Sequence, residues 1–238
     1  MKTTPSIFAD DSTVYAKGLD HDAACRELIT ELHEAQNWAE SLGMSFNPDK
    51  SECLTISSKR KSQQLSSTKE QLKMKGNLVT AVTTHKHLGI VFNRSFTWSD
   101  QISTVRTKCA RRMGILRKMS HLFSKKIIKK IYLTTIRPIM EYGCAVWSGG
   151  NTTGLKEIQD RFCKTHGIPL PDLKLQKRFD FLTLILFFKI RNKNVRNIRI
   201  TGCRRCSRLQ PRIISVRTDV CCLLCPSQVH CPVFYREL

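Results

Sequence analysis

Two adjacent acids near the start of the chain, Asp10-Asp11, follow a short apolar run ending in Phe8-Ala9 and precede another, Thr13-Val14-Tyr15-Ala16. Apolar runs of that length on either side of a polar pair predict a β-hairpin with carboxylates at its tip. On chemistry alone the tip has two readings. Asp favours a bend by hydrogen-bonding its own backbone, and in most chains an Asp-Asp turn does no more than this. Paired carboxylates can also hold two divalent ions, which stabilise the attacking and leaving oxygens of an in-line displacement. Neighbouring carboxylates repel, so both stay ionised only beside a cation or strong donors.

Downstream of the hairpin, helix and strand signals alternate. Asp20 or Asp22 can cap a helix running to about Leu42, because Leu28, Leu32, Ala35, Ala39 and Leu42 recur at helical spacing; Trp38 is expected in the core. Gly43 ends the helix, and Met44 to Phe46 and Cys53 to Ile56 read as short strands around the Asn47-Pro48 turn. Lys59 to Lys69 is polar and without apolar period, so it reads as a loop. Leu72 to Val82 carries Gly76-Asn77 between alternating residues and predicts a hairpin, with Leu88 to Phe92 as the next strand. Thr97-Trp98-Ser99-Asp100 fits a capping box, in which the hydroxyl and the carboxylate satisfy helix N–H groups that have no partner in the helix. The helix it opens places Ile102, Val105, Cys109, Met113 and Leu116 on one face and Lys108, Arg111, Arg112 and Lys118 mainly on the other. Pro138 should kink or restart the following helix, and Gly154 to Phe162 and Leu175 to Ile190 read as two more. No internal repeat is found.

Charge narrows the partners. The 238 residues carry a formal net charge of +21, which points to a polyanion bound through phosphate contacts and counterion release. Between Gln101 and Met140 there are eleven Lys and Arg and no Asp or Glu, among them Lys125, Lys126, Lys129, Lys130 and Arg137. A basic helix face is usually just solvated; one with no acids to relieve its self-repulsion favours a phosphate-tracking surface. A membrane is the weaker candidate. The longest apolar stretch, Phe181 to Phe188, falls far short of the roughly 18 residues of a spanning helix. The first residues, Met1-Lys2-Thr3-Thr4-Pro5, do not lead into a signal-peptide core, so the eleven cysteines are expected to be free or metal-bound thiols in a reducing, intracellular compartment, nuclear or cytoplasmic.

From Phe8 to about Trp147 the order of segments resembles the C-terminal part, palm and thumb, of a reverse transcriptase of a non-LTR (LINE-type) retrotransposon. Phe8-Ala9-Asp10-Asp11 stands where that family has its aromatic-x-Asp-Asp hairpin, and Phe46-Asn47-Pro48-Asp49-Lys50 resembles its Asn-x-x-Lys turn. His87-Leu88-Gly89-Ile90 is similar to its Tyr-Leu-Gly strand, and Phe96 to Ile102 to the segment opening its thumb. Ile136-Arg137-Pro138-Ile139-Met140-Glu141-Tyr142-Gly143, with Val146-Trp147, resembles its Arg-Pro-x-x-Glu-Tyr helix.

The resemblance implies an α+β fold: a partial antiparallel polymerase palm over residues 1–95, a helical thumb-like region over 96–168, and a helical, Cys-rich tail over 169–238. It implies RNA-directed DNA polymerase chemistry, with Asp10 and Asp11 as magnesium ligands and Lys50 near the triphosphate, neutralising the leaving pyrophosphate. Primer-template RNA or DNA would lie against Lys108, Arg111, Arg112, Lys118, Lys129 and Lys130. Family polymerases carry a further Asp upstream of the hairpin, whereas only Met1 to Ile7 precede Phe8. The expectation is therefore a fragment that begins in mid-palm, binds magnesium weakly or not at all, and is catalytically incomplete alone. The alternative is a non-enzymatic basic zinc-binding nucleic-acid module. Cys203-x-x-Cys206 and Cys222-x-x-Cys225, fifteen residues apart, have four-thiolate zinc spacing, although surplus Cys221 and Cys231 and the lack of a knuckle turn weigh against a stoichiometric site. The seven histidines are scattered along the chain and predict no metal cluster, and the oligomeric state is left open.

Overall fold

The structure, a computed structural model, describes residues 6–9, 11–16, 21–56, 72–169 and 174–192, together with the backbone of 231–237. It divides into two compact units, Met1–Thr97 with Cys222–Leu238, and Trp98–Cys221. Helices combine with small, mainly antiparallel sheets, consistent with the α+β class.

In the first unit β1 (Ser6–Phe8) and β2 (Asp11–Tyr15) pair antiparallel with Phe8 opposite Asp11, a register that leaves two residues between the strands. Ala9, the first of them, has φ 54°, the left-handed conformation that two-residue hairpin turns demand. Helix α1 (His21–Ser41) buries Ala24, Cys25, Leu28, Leu32 and Ala39, a stripe produced by three- and four-residue spacing. Two expectations fail at its end: Trp38 is 46% exposed and Leu42 57%. Trp38 sits one position before buried Ala39, about 100° round the helix from it, and Leu42 lies beyond the last helical residue.

Met44 to Phe46 form no strand; Asn47 instead opens a 3-10 turn, Pro48–Lys50, its side chain accepting the Asp49 N–H at 3.0 Å. Strand β3 (Glu52–Ile56) follows. The next hairpin, β4 (Lys73–Met74) and β5 (Asn77–Leu78), turns on Lys75-Gly76, one residue earlier than Gly76-Asn77, with φ 50° and 82°. After β6 (Thr80–Val82) come β7 (Thr84–His87) and β8 (Ile90–Asn93), joined at Leu88-Gly89 with φ 45° and 81°. Leu88-Gly89, expected within a strand, is thus a turn; the glycine supplies the second positive φ that the turn needs.

The main sheet has the order β1-β2-β9-β3-β6, where β9 (Cys231–Glu237) is antiparallel to both neighbours. This strand falls within the stretch read as a helical, Cys-rich tail; its Val233-Phe234-Tyr235 run consists of strand-forming residue types. Pro232 pairs only with Thr55 of β3, because the β2 ladder stops at Val233, so its missing N–H falls near the strand start where it is tolerated. β3 and β6 run parallel, which departs from a purely antiparallel remnant. Parallel pairing requires a crossover of about a dozen residues or more, and β3 and β6 lie far enough apart in sequence for one. One face of the sheet and α1 share a core that includes Val14, Leu28, Leu32, Phe46, Cys53 and Met74.

In the second unit α2 (Ser99–Met119) buries Ile102, Val105, Cys109 and Leu116, as the periodicity predicts. The residue at the N-cap is not the expected Thr97. Trp98 occupies the N-cap position at φ 60° with no side-chain cap, and the Thr97 N–H donates to Asn93 Oδ1 at 3.0 Å. Helix α3 (Lys125–Ile131) passes through a π-helical turn, Tyr132–Ile136, into α4 (Arg137–Glu141). Pro138 has no N–H to give and its ring crowds the carbonyl four residues back, so the ladder slips there. The hydroxyls of Thr134 and Thr135 donate to Lys130 O at 2.9 Å and Ile131 O at 2.7 Å. Helices α5 (Cys144–Trp147), α6 (Thr153–His166) and α7 (Leu175–Arg191) complete the unit. Tyr132 stacks on Phe162 with centroids 4.1 Å apart, and Trp147 meets Phe179 edge to face at 5.6 Å. No helix among the described residues is long and apolar enough to cross a membrane.

Candidate functional site

The first unit presents the expected hairpin tip. Asp11 opens β2 and is half-buried, with backbone partners Phe8 on one side and Glu237 on the other. Asp10 lies outside the described residues. The structure also places an electrostatic neighbour beside Asp11 that the sequence did not announce: burial and then His85 push the His87 pKa down, while the Asp11 carboxylate pulls it up. His85 and His87 share the half-buried side of β7, and His85 Nδ1 lies 2.6 Å from Glu52 Oε2 on β3. The His-x-His spacing in a strand was the legible signal, since residues two apart share a face. The donor types suit an oxygen-seeking divalent ion only in part. Among the described residues no three His, Cys, Asp or Glu side chains converge as a metal site. Lys50 ends the 3-10 turn and is exposed.

Three buried thiols, Cys53, Cys109 and Cys144, are not poised for chemistry. Burial, and next Cys25, push the Cys53 pKa up to about 12. Burial pushes Cys109 up to about 12 against the opposing pull of Arg112 and Lys108, and Cys144 up to about 11. All three stay protonated at neutral pH, and a protonated thiol is neither a nucleophile nor a good ligand. Cys203, Cys206, Cys222 and Cys225 lie outside the described residues.

In the second unit Lys108, Arg111, Arg112 and Lys118 are all exposed and fall along one stripe of α2, at steps of three and four. Exposed Ile115 continues that stripe, and Lys129 and Lys130 are exposed on α3. Arg112 is not wholly available: its Nη1 donates to Thr135 O at 2.6 Å, satisfying a carbonyl in the π-helical turn. A guanidinium has five N–H groups, so this bond orients it and leaves donors over. Arg137, in contrast, leaves the basic surface. It is 9% exposed, its Nε donates to Glu141 Oε1 at 2.6 Å, and Arg178 Nε donates to the same oxygen at 2.9 Å. The Arg-Pro-x-x-Glu element therefore ties α4 to α7.

Comparison with known proteins gives the context for both surfaces. Over 165 residues the chain is 28% identical to the probable RNA-directed DNA polymerase from transposon X-element of Drosophila melanogaster, a match covering 66% of this chain. Over 164 residues it is 27% identical to the RNA-directed DNA polymerase from mobile element jockey of the same fly, covering 67%. The chain is distantly similar to mobile-element RNA-directed DNA polymerases. It spans 17% of the length of these curated relatives. No protein-family model matches this chain, and no solved structure matches it.

Proposed function

We propose that this chain is a reverse transcriptase-related piece of a retrotransposon polymerase, a partial palm followed by a helical thumb, whose second unit binds primer-template nucleic acid inside the cell. The observation that carries the reading is the exposed stripe of Lys108, Arg111, Arg112 and Lys118 on α2, with Lys129 and Lys130 on α3 and no acid from Gln101 to Met140. Phosphate contacts of this kind give affinity and register but carry no base information. Distant similarity to two mobile-element polymerases supports the same reading. In it Asp10 and Asp11 hold magnesium weakly and Lys50 faces the leaving pyrophosphate. The chain alone is catalytically incomplete, since metal-assisted displacement depends on a full set of positioned charges.

Neutralising Arg111, Arg112, Lys129 and Lys130 tests the reading. Duplex affinity should fall with no change in sequence preference, and each lost contact should lower the salt slope of log K by about 0.9 on B-form DNA. Unchanged affinity across a salt titration would return these side chains to a solvated face. In the same assays the parent chain should not extend a primer on an RNA template with magnesium and deoxynucleotides. Extension that disappears in Asp10→Ala would show a complete site.

A further inference from the structure

Within the second unit a cavity of about 230 Å³ opens between α2 and α6, lined by Met113, Gly114, Arg117, Arg161, Thr165 and His166 among others. No acidic side chain lines it, and neither guanidinium has an ion-pair partner among the described residues. We propose that this cavity is a phosphate-binding site, in which Arg117 and Arg161 take one phosphate group of a nucleic acid between them.

Three observations carry the inference. Arginine forks match phosphate geometry, and two of them converging on one space give a tetrahedral anion donors from opposite helices. Arg117 alone could be explained as a cation complementing the C-terminal end of α2. Arg161 lies more than a turn before the end of α6, outside the last turn where that effect operates. His166 is 9% exposed, and its Nε2 is buried without a hydrogen-bond partner, an orphan of the kind that a bound polar group or its water resolves. Gly114 is the third. A helix-interior glycine is costly, and a Cβ there would meet nothing within 4 Å, so no neighbour demands it. Its missing side chain leaves the cavity wall open. The volume is below the roughly 300 Å³ at which pockets begin to hold drug-sized ligands, so a phosphate fits and a whole nucleotide would protrude.

The cavity is separate from the exposed stripe and does not rest on it. The phosphate could be a terminal monoester or an internal diester, and paired probes distinguish them: a short single-stranded oligonucleotide with a 5′-phosphate and the same oligonucleotide with a 5′-hydroxyl. Binding to the full chain is followed by fluorescence anisotropy. Arg161→Gln and Gly114→Leu should each weaken binding about tenfold, the loss of a charged hydrogen bond or of the space for it. Lys177→Gln, which removes an exposed charge on α7, should have little effect. Weakening confined to the 5′-phosphorylated probe identifies a terminal phosphate; equal weakening of both identifies an internal one. Either supports the site. If Arg161→Gln behaves like Lys177→Gln, or if folded Gly114→Leu binds both probes as the parent does, the inference is overturned. Should Gly114→Leu not fold, the His166 imidazole signals decide by titration with inorganic phosphate. They should shift in the parent and stay still in Arg161→Gln; no shift in the parent overturns the site.

Discussion

Burial holds the His166 imidazole below its ordinary pKa, so the folded chain keeps that ring neutral where the unfolded chain would protonate it. The sign follows from linkage: stability from the neutral ring is complete above the unfolded pKa of about 6.5 and is lost as pH falls through the lower folded value. The urea midpoint of the parent should therefore drop on acidification from neutral pH, and in His166→Gln it should drop less. Equal drops in both would place the acid sensitivity elsewhere. Residue-scale facts such as this one were largely hidden in the sequence. Nothing in the spacing of Glu141 shows that it is held by both Arg137 and Arg178, because the second partner comes from a helix 37 residues away. The basic stripe of α2 was legible for the opposite reason, since helical periodicity alone decides which residues share an exposed face.

At the scale of elements, the apolar period located α1, α2, α6 and α7, and the alternation and turn residues located most strands. Turn register was less legible. Two-residue hairpins select positive φ at both central positions, and the ladders chose Lys75-Gly76 and Leu88-Gly89, with glycine second each time. The N-cap fell at Trp98 and not at Thr97, because Trp98 enters α2 from a left-handed conformation, a backbone state that composition does not reveal. That entry is tightly packed. A Cβ on Gly150 would come within 2.7 Å of Ile102 Cδ1 and 3.2 Å of Trp98 Cβ. The Ile102 tip can yield, but the Trp98 Cβ is fixed to the backbone. Gly150→Ala should consequently destabilise the second unit by about 1–3 kcal/mol, the usual range for overpacking, measured as a lower urea midpoint with unchanged slope. A midpoint equal to the parent's would mean that the loop before α6 gives way freely.

For the whole molecule, the α+β mixture was legible in the sequence but the return of the chain's far end to its beginning was not, since strand pairing over such a separation leaves no local signature. β9 lies between β2 and β3, so it is the strand that joins β1-β2 to β3-β6 in the hydrogen-bonded sheet. Removing residues 231–238 should break the sheet of the first unit while the second keeps its helical signal and its own cooperative transition. Loss of both together would show that neither unit stands alone. The same arrangement sets a clock on synthesis. A ribosome delivers β2 and β3 early but β9 only after the whole helical unit has emerged, and contacts that close such long loops form late. From the emergence of β3 to that of β9 two strand edges thus stand open, a window in which edge-to-edge pairing with another nascent copy, or capture by a chaperone, competes with closure of the sheet.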